Sequence, residues 1–556
     1  MSLKMMFTES TIASYVRTIR SCPHELIANC QSLLTVAIYA SAGLPITWDQ
    51  GSSSVIPSLP GFQATFGITS AANPTQVTNF ISFVYIGAGV GAGLSFVIND
   101  RIGRLRSFRL YMAIWVVGQM LATFSYGHKG AVSTARIVSG LGIGPLTVID
   151  PAAIVEVAPT EIRGLLSVRF SVVMLLSLTV SVFVVLGVYL HIATSYLQYQ
   201  ILFFVPTIAV AFIVLAHFFL SESPRWLFLV NRQEEGIATL AKLPGLSASH
   251  PRIASAIEDI QKQIDGQRKS QKSDSQPGCI GLCKETFLVP SNLRRVQQTF
   301  ISYAFAQLSG ANSVTSYLVP ILSMMGLGGG TDRSLFLTGM YSMAKFFFTL
   351  IASFCFIDVL GRRKSFFTGL TLQMVSDIYI GVYIKYKQSG VVTTSGSQAA
   401  VGAIFVHRFG FVVGNFWYIL PANYLLGLLI LPYVFGAEVW PNHIRLFGAA
   451  ISQCFHWLFF FGISRASLLA NTNNWGAFIF FAAWCFVSIV YAYFAIPETA
   501  REGLEDFDAI FEQPLWRAYR GTKRNNTTCI EAFEVSSDSG DWTKKKNHFA
   551  DAGVEV

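Results

Sequence analysis

The sequence predicts an all-α membrane protein, with twelve transmembrane helices in two pseudo-symmetric six-helix bundles. Three observations predict it. Of 556 residues, 52% are hydrophobic, 46 are Phe, and only 13% are charged, against roughly 25% charged in soluble domains. That apolar load exceeds what an aqueous core buries, and it excludes disorder, a collagen-like fibre or a small disulfide scaffold as the main state. Second, nearly uncharged stretches of about 20 residues, the length that crosses a bilayer, recur along the chain. Third, the same pair of charged motifs stands once in each half of the chain.

The elements follow in order. A polar lead-in, 1–26, holds Arg17 and Arg20 among Ser and Thr, but also the acidic Glu9 and Glu25, and reads as a cytosolic segment rather than a transit peptide. An N-terminal bundle is expected over 27–220, with spans near 27–48, 77–98, 108–126, 131–154, 166–190 and 200–220. A hydrophilic central loop, 221–298, carries a charged helical pattern from Arg252 to Ile264 and then the polar run GQRKSQKSDSQPG, which reads as a linker. A C-terminal bundle is expected over 299–496, with spans near 300–325, 335–357, 366–386, 418–437, 447–470 and 475–496; a tail, 497–556, closes the chain.

Charge sets the orientation. One set of short connectors holds Arg101, Arg104, Arg106, Arg109, Arg163, Arg169, Arg362, Arg363, Lys364 and Arg445; the other holds only Lys129, Arg333, Lys385 and Lys387. Positive residues collect on the cytosolic side, so both termini and the central loop are expected inside, in a multi-pass protein of the plasma membrane. The net charge of +9 is thus a matter of topology, and no nucleic-acid partner is expected. The eight cysteines are scattered and read as free thiols; Cys279 and Cys283 form a lone CxxxC with no further ligands nearby, so no metal is expected.

The repeated motifs are specific. Asp100-Arg-Ile-Gly-Arg104 between the second and third spans matches Asp358-Val-Leu-Gly-Arg362 between the eighth and ninth. Glu156-Val-Ala-Pro-Thr-Glu-Ile-Arg163 after the fourth matches Glu438-Val-Trp-Pro-Asn-His-Ile-Arg445 after the tenth. Parallel repeats of six spans are a transporter architecture, with the substrate path between the halves. Ser221-Glu-Ser-Pro-Arg225-Trp, Gln307-Leu-Ser-Gly-Ala-Asn312 and Pro497-Glu-Thr499 stand in order at matching places. With these residues the chain resembles the sugar porter branch of the major facilitator superfamily over about 27–513, and is similar to fungal-type sugar/quinate transporters.

The resemblance implies secondary transport of a polyhydroxylated solute by alternating access. The charged motifs make a candidate cytosolic gate of Asp100, Arg104, Glu156, Arg163, Glu222, Arg225, Asp358, Arg362, Glu438 and Arg445. Such pairs, worth about 0–1 kcal/mol each when exposed, would close across the halves in one state and separate in the other. The resemblance places Asp49 inside the first helix and opposite Arg136 of the fourth, a pair suited to proton coupling, because protonating the carboxylate removes the attraction. The alternative is that Asp49 caps the span at the outer surface.

For the substrate, the resemblance points to Gln307 and Asn312, with Tyr433, His456 and Trp457 where the family has Trp and an amide-Trp pair; Ala306 and Ser171 replace family glutamines. Amides hydrogen-bond hydroxyls while rings cover C–H faces. Lys345 is thirteen residues before Asp358, about 20 Å of helix and hence mid-membrane. A cation there suits a carboxylate-bearing polyol such as quinate; snorkelling or a helix contact is the alternative. The expected partners are therefore a small-molecule substrate (sugar or polyol acid), protons and the lipid bilayer.

Other patterns carry no chemistry. Gly87-Ala-Gly-Val-Gly-Ala-Gly93 and Gly140-Leu-Gly-Ile-Gly144 lie inside spans and read as small-residue helix packing. No Walker A, HExxH or GxSxG pattern occurs, so neither an enzyme nor a cofactor is expected. Uniport, metabolite export and a non-transporting sugar sensor stay open beside proton-coupled uptake. One irregularity stands out: Asp100 to Glu156 is 56 residues, whereas Asp358 to Glu438 is 80. Removing His407 to Asn423 would restore one ordinary span, so 407–423 reads as a possible insertion, either of the lineage or of translated non-coding sequence.

Overall fold

The computed structural model describes residues 29–69, 73–158, 163–270, 279–326, 329–351, 362–391, 393–414, 440, 444–465 and 473–495. Within them every regular element is a helix. The first half contains α1 (Cys30–Ala40), α2 (Gly43–Val55), α3 (Pro60–Phe66), α4 (Pro74–Ile102), α5 (Arg104–Thr123), α6 (Lys129–Val157), α7 (Arg163–His191) and α8 (Leu197–Ala216). Four helices of the central loop follow: α9 (Pro224–Leu229), α10 (Gln233–Lys242), α11 (Pro251–Ser270) and α12 (Cys279–Leu288). The second half contains α13 (Pro290–Leu308), α14 (Ala311–Ser316), α15 (Leu318–Met324), α16 (Thr331–Ile351), α17 (Arg362–Gln388), α18 (Thr394–Gly414), α19 (Arg445–Arg465) and α20 (Trp475–Ala495).

With α1–α2 and α13–α15 each counted as one interrupted span, this is a twelve-helix, two-bundle membrane fold. Among the described residues, nine helices are long and apolar enough to cross a bilayer on their own composition. The other three spans, α5, α13–α15 and α18, carry more polar residues and are held by neighbours: α5 packs on α6, α13 on α19, and α18 on α17. The halves meet where α4 lies against α19 and α7 against α16. Exchanging the halves turns the first contact into the second, which is the pseudo-symmetry the duplicated motifs led us to expect.

Glycine sets how closely the first bundle packs. Gly140 and Gly144 of α6 lie on the backbone of Val84 and Ala88 in α4, and Gly142 lies on that of Tyr111 in α5, where an added Cβ would collide with main-chain atoms. The glycine runs are packing surfaces, because only a missing side chain brings two helix backbones this close.

Three spans differ from expectation. The first continues past 48 through α2, because Ser52 and Ser53 donate to the carbonyls of Trp48 and Asp49 and so satisfy themselves within the helix. The third starts at Arg104, whose guanidinium is neutralised by carboxylates and so tolerates burial. The seventh is broken at Ser309–Gly310, where Gly310 takes a left-handed φ of +82° against the Phe481 ring. The expected tenth span, 418–437, lies outside the described residues; α18, which packs on α17, precedes it. Residues 407–414 of the possible insertion continue that helix. The charged pattern after Arg252 is helical as expected, and α11 runs on to Ser270, inside the polar run.

Candidate functional site

Asp49 lies on α2, a helix rich in Gly and Ser that nests against α7 through Gly43 and Gly51. Its carboxylate is 2% exposed and forms an ion pair with Arg136 of α6, itself 1% exposed. The span runs on beyond Asp49 through Val55, so the carboxylate sits inside the helix rather than at its end. The Arg136 Nε–H donates to the Phe80 carbonyl at 3.0 Å, and its guanidinium lies 5.0 Å from the Phe80 ring centre. Gln119 of α5 donates to the Ser139 hydroxyl at 3.2 Å and reaches Asp49 Oδ1 at 3.4 Å. One oxygen of Asp49, Oδ2, finds no hydrogen-bond partner among the described residues. With so few auxiliary bonds, the Coulomb attraction between the two side chains is what offsets their desolvation.

A second group gathers at the α13–α14 break. Asn312 Nδ2 donates to Gln307 Oε1 at 3.0 Å, and Gln307 Nε2 lies 3.2 Å from His456 Nδ1 on α19. The His456 ring stands edge-on to Tyr303 and Trp457. Trp457 Nε1 donates across the halves to Thr147 Oγ1 of α6 at 3.3 Å. Tyr85 of α4 stacks on Phe460 at 3.9 Å between ring centres and on Trp457 at 5.9 Å. Amides, an imidazole and aromatic faces thus converge where the halves touch, the combination a polyhydroxylated solute needs.

Lys345 is 1% exposed on α16. It shares a face with Tyr341 and Phe348, which pack on Phe405 and Phe409 of α18. That face turns Lys345 toward Arg408 of α18, close enough for the two basic groups to act on each other. Lys345 makes no hydrogen bond to the Gln307 group among the described residues. Beside Arg408, His407 Nε2 lies 3.4 Å from Asp377 Oδ1 of α17, both fully buried.

The charged motifs of the first half form one network. Arg104 bridges Asp100 at 3.1 Å and Glu156 at 3.2 Å, and Arg225 lies within electrostatic reach of Glu156. Glu222 caps α5: it accepts the backbone N–H groups of Arg104 at 2.9 Å and Leu105 at 3.1 Å, an anion at a helix N-terminus. Burial raises the Glu222 carboxyl above its ordinary value, against the pull of the Leu105 and Ser223 N–H donors. Tyr433, Asp358 and Glu438 lie outside the described residues, as do the side chains of Arg163 and Arg362. Arg445 is half-buried at the start of α19.

Sequence reasoning missed Gln119, Tyr303 and Thr147, which are ordinary polar residues within spans. It also missed Asp150 and Asp377, for which a signal existed: each is an ionisable residue inside a predicted span.

Comparison with known proteins bears on this geometry. The family model described as "Sugar (and other) transporter" matches residues 35–511. The quinate permease of Emericella nidulans is 27% identical, over 95% of this chain and 97% of its own. A probable quinate permease of Aspergillus clavatus is 28% identical, over 94% and 96%. Among solved structures, the xylose transporter XylE from E. coli in a partially occluded inward open conformation aligns with a TM-score of 0.67 at 18% identity, over 85% of this chain and 99% of its own. The proton:xylose symporter XylE bound to 6-bromo-6-deoxy-D-glucose gives 0.68 at 18% identity, over 86% and 99%.

Proposed function

The chain belongs to the sugar (and other) transporter family, and we propose on that premise that it takes up a polyhydroxylated small molecule by alternating access, coupled to protons through Asp49 and Arg136. The observation that carries this reading is the buried ion pair between α2 and α6. It joins two helices of one bundle by an attraction that a single proton abolishes, so proton binding can change how that bundle rocks. The solute would sit among Gln307, Asn312, His456 and Trp457, with Tyr433 completing the pocket and the charged motifs at the helix ends acting as the inner gate. The orientation that fits the positive connectors has both termini and the central loop in the cytosol, in the plasma membrane.

A second reading concerns the solute itself. Lys345, a buried cation facing the other helices of its half, favours a carboxylate-bearing polyol over a neutral hexose, and relatives named as quinate permeases support that class. The test is uptake of labelled quinate, related acids and sugars by a transport-null cell expressing the protein, with external pH recorded. Accumulation of one solute with alkalinisation of the medium is expected. Accumulation without a pH change would make the protein a uniporter, and binding without accumulation would make it a sensor.

A further inference from the structure

Asp150 is the most isolated charge-bearing group in the first bundle. It lies inside α6, is fully buried, and neither carboxylate oxygen has a hydrogen-bond partner among the described residues. We propose that Asp150 is a second protonation site, distinct from Asp49, which holds a proton while the halves are closed over it and releases it toward the Glu156 end when they part. The proposal rests on the proton-coupled reading above for its role in transport, but not for the protonation itself.

Position is the first argument. Asp150 follows Arg136 by fourteen residues on one helix, which is about four turns and about 21 Å, so both point to nearly the same side. Thr147, one turn before Asp150 on that side, accepts the Trp457 N–H from the other half. Asp150 is therefore one turn beyond a contact that must break when the halves separate. Glu156, at the end of α6, is about 9 Å further on.

The second argument is the lack of a neutralising partner among the described residues. Tyr39 of α1 is within electrostatic reach of Asp150, and its own buried hydroxyl has no hydrogen-bond partner among the described residues. Of the titratable groups on the other helices packed around α6, Asp49 (α2), Asp100 (α4), Arg104 (α5), Arg169 (α7), Arg225 (α9) and His456 (α19) give Asp150 neither an ion pair nor a hydrogen bond. An unpaired carboxylate in a dry interior is far costlier than the acid, so the group carries its proton until water or a cation reaches it. The third argument is the backbone. Pro151 follows directly and Pro145 precedes, each removing an intrahelical hydrogen bond, so the carboxyl sits in a stretch of α6 with a weakened backbone ladder.

Infrared difference spectroscopy of the full-length protein across a pH step reads this directly. The carbonyl stretch of a protonated carboxylic acid is expected in the wild type, lost in Asp150→Asn and retained in Asp49→Asn. Should Asp150→Asn fail to fold, Asp150→Glu keeps the acid and is expected to shift the band. An unchanged band in either Asp150 variant, or no such band in the wild type, overturns the proposal. Failure of the transport reading looks different: liposomes holding the wild-type protein would show no proton-linked uptake while the infrared band stands.

Discussion

The two halves share a motif skeleton and differ in what they bury. In the first half the buried arginines are matched by carboxylates, Arg136 by Asp49 and Arg104 by Glu156 and the more exposed Asp100, and Asp150 stands apart from both pairs. In the second half Lys345 faces Arg408, and the buried carboxylate nearby, Asp377, lies against His407. The Arg408 guanidinium carbon lies 4.7 Å from the centre of the Phe411 ring, and no carboxylate among the described residues pairs with it. A matched pair is a switch that a proton can open. Lys345 and Arg408, buried without a matching carboxylate among the described residues, form a site that an anion would complete, or a packing fault. On the reading proposed above, coupling belongs to the first half and solute recognition to the second.

The largest expected effect comes from breaking a match. Arg136→Gln leaves Asp49 buried without its partner, which costs about 3–5 kcal/mol; thermal unfolding of the purified protein should fall sharply, and restoring neutrality with Asp49→Asn in the same chain should recover much of it. If the double variant is no more stable than the single one, the two residues do not act as a pair. Next comes the unmatched cation. Lys345→Gln removes a charge-assisted contact worth about 1.5–3 kcal/mol, so the preference for quinate over a neutral analogue should fall roughly ten- to hundredfold while Asp49-dependent proton movement persists. An unchanged preference in competition uptake would remove Lys345 from recognition.

A smaller effect separates the two accounts of the second half's excess charge. His407 and Arg408 open the segment 407–423, whose removal restores the span length seen in the first half. If the segment is foreign to the packing, its deletion relieves the meeting of two buried cations, and the shortened protein should melt no lower and transport at least as well. Collapse of the fold on deletion, or transcripts that run continuously through 407–423, would make it a genuine part of the protein. The smallest effect is expected at the surface: Glu258 and Lys262 form an exposed pair on α11, and neutralising both should leave melting and uptake unchanged.

Much of this was legible in the sequence because membrane burial writes itself as uncharged length, and because the duplicated Asp-x-x-Gly-Arg and Glu-x(6)-Arg motifs fix order and symmetry. Asp49 and Arg136 could be paired through the family pattern, and the structure joins them. The end of α2 was hidden because serines that satisfy their own hydrogen bonds within a helix look like a loop in a hydropathy reading. The start of α5 was hidden for a related reason: an arginine reads as a boundary until its carboxylates are seen. Which polar residues converge across the halves, Thr147 with Trp457 or Gln307 with His456, depends on helix rotation and interface register, which no local pattern carries. Asp150 was legible as a carboxylate inside the fourth span, where the rule applied to the first span could equally have been applied.

Proton movement on adding solute to liposomes containing the full-length protein bears most directly on the assignment of coupling to the first half. The wild type is expected to carry protons with the solute, and Asp49→Asn to bind the solute while moving none. Equal proton movement in the two proteins would contradict it.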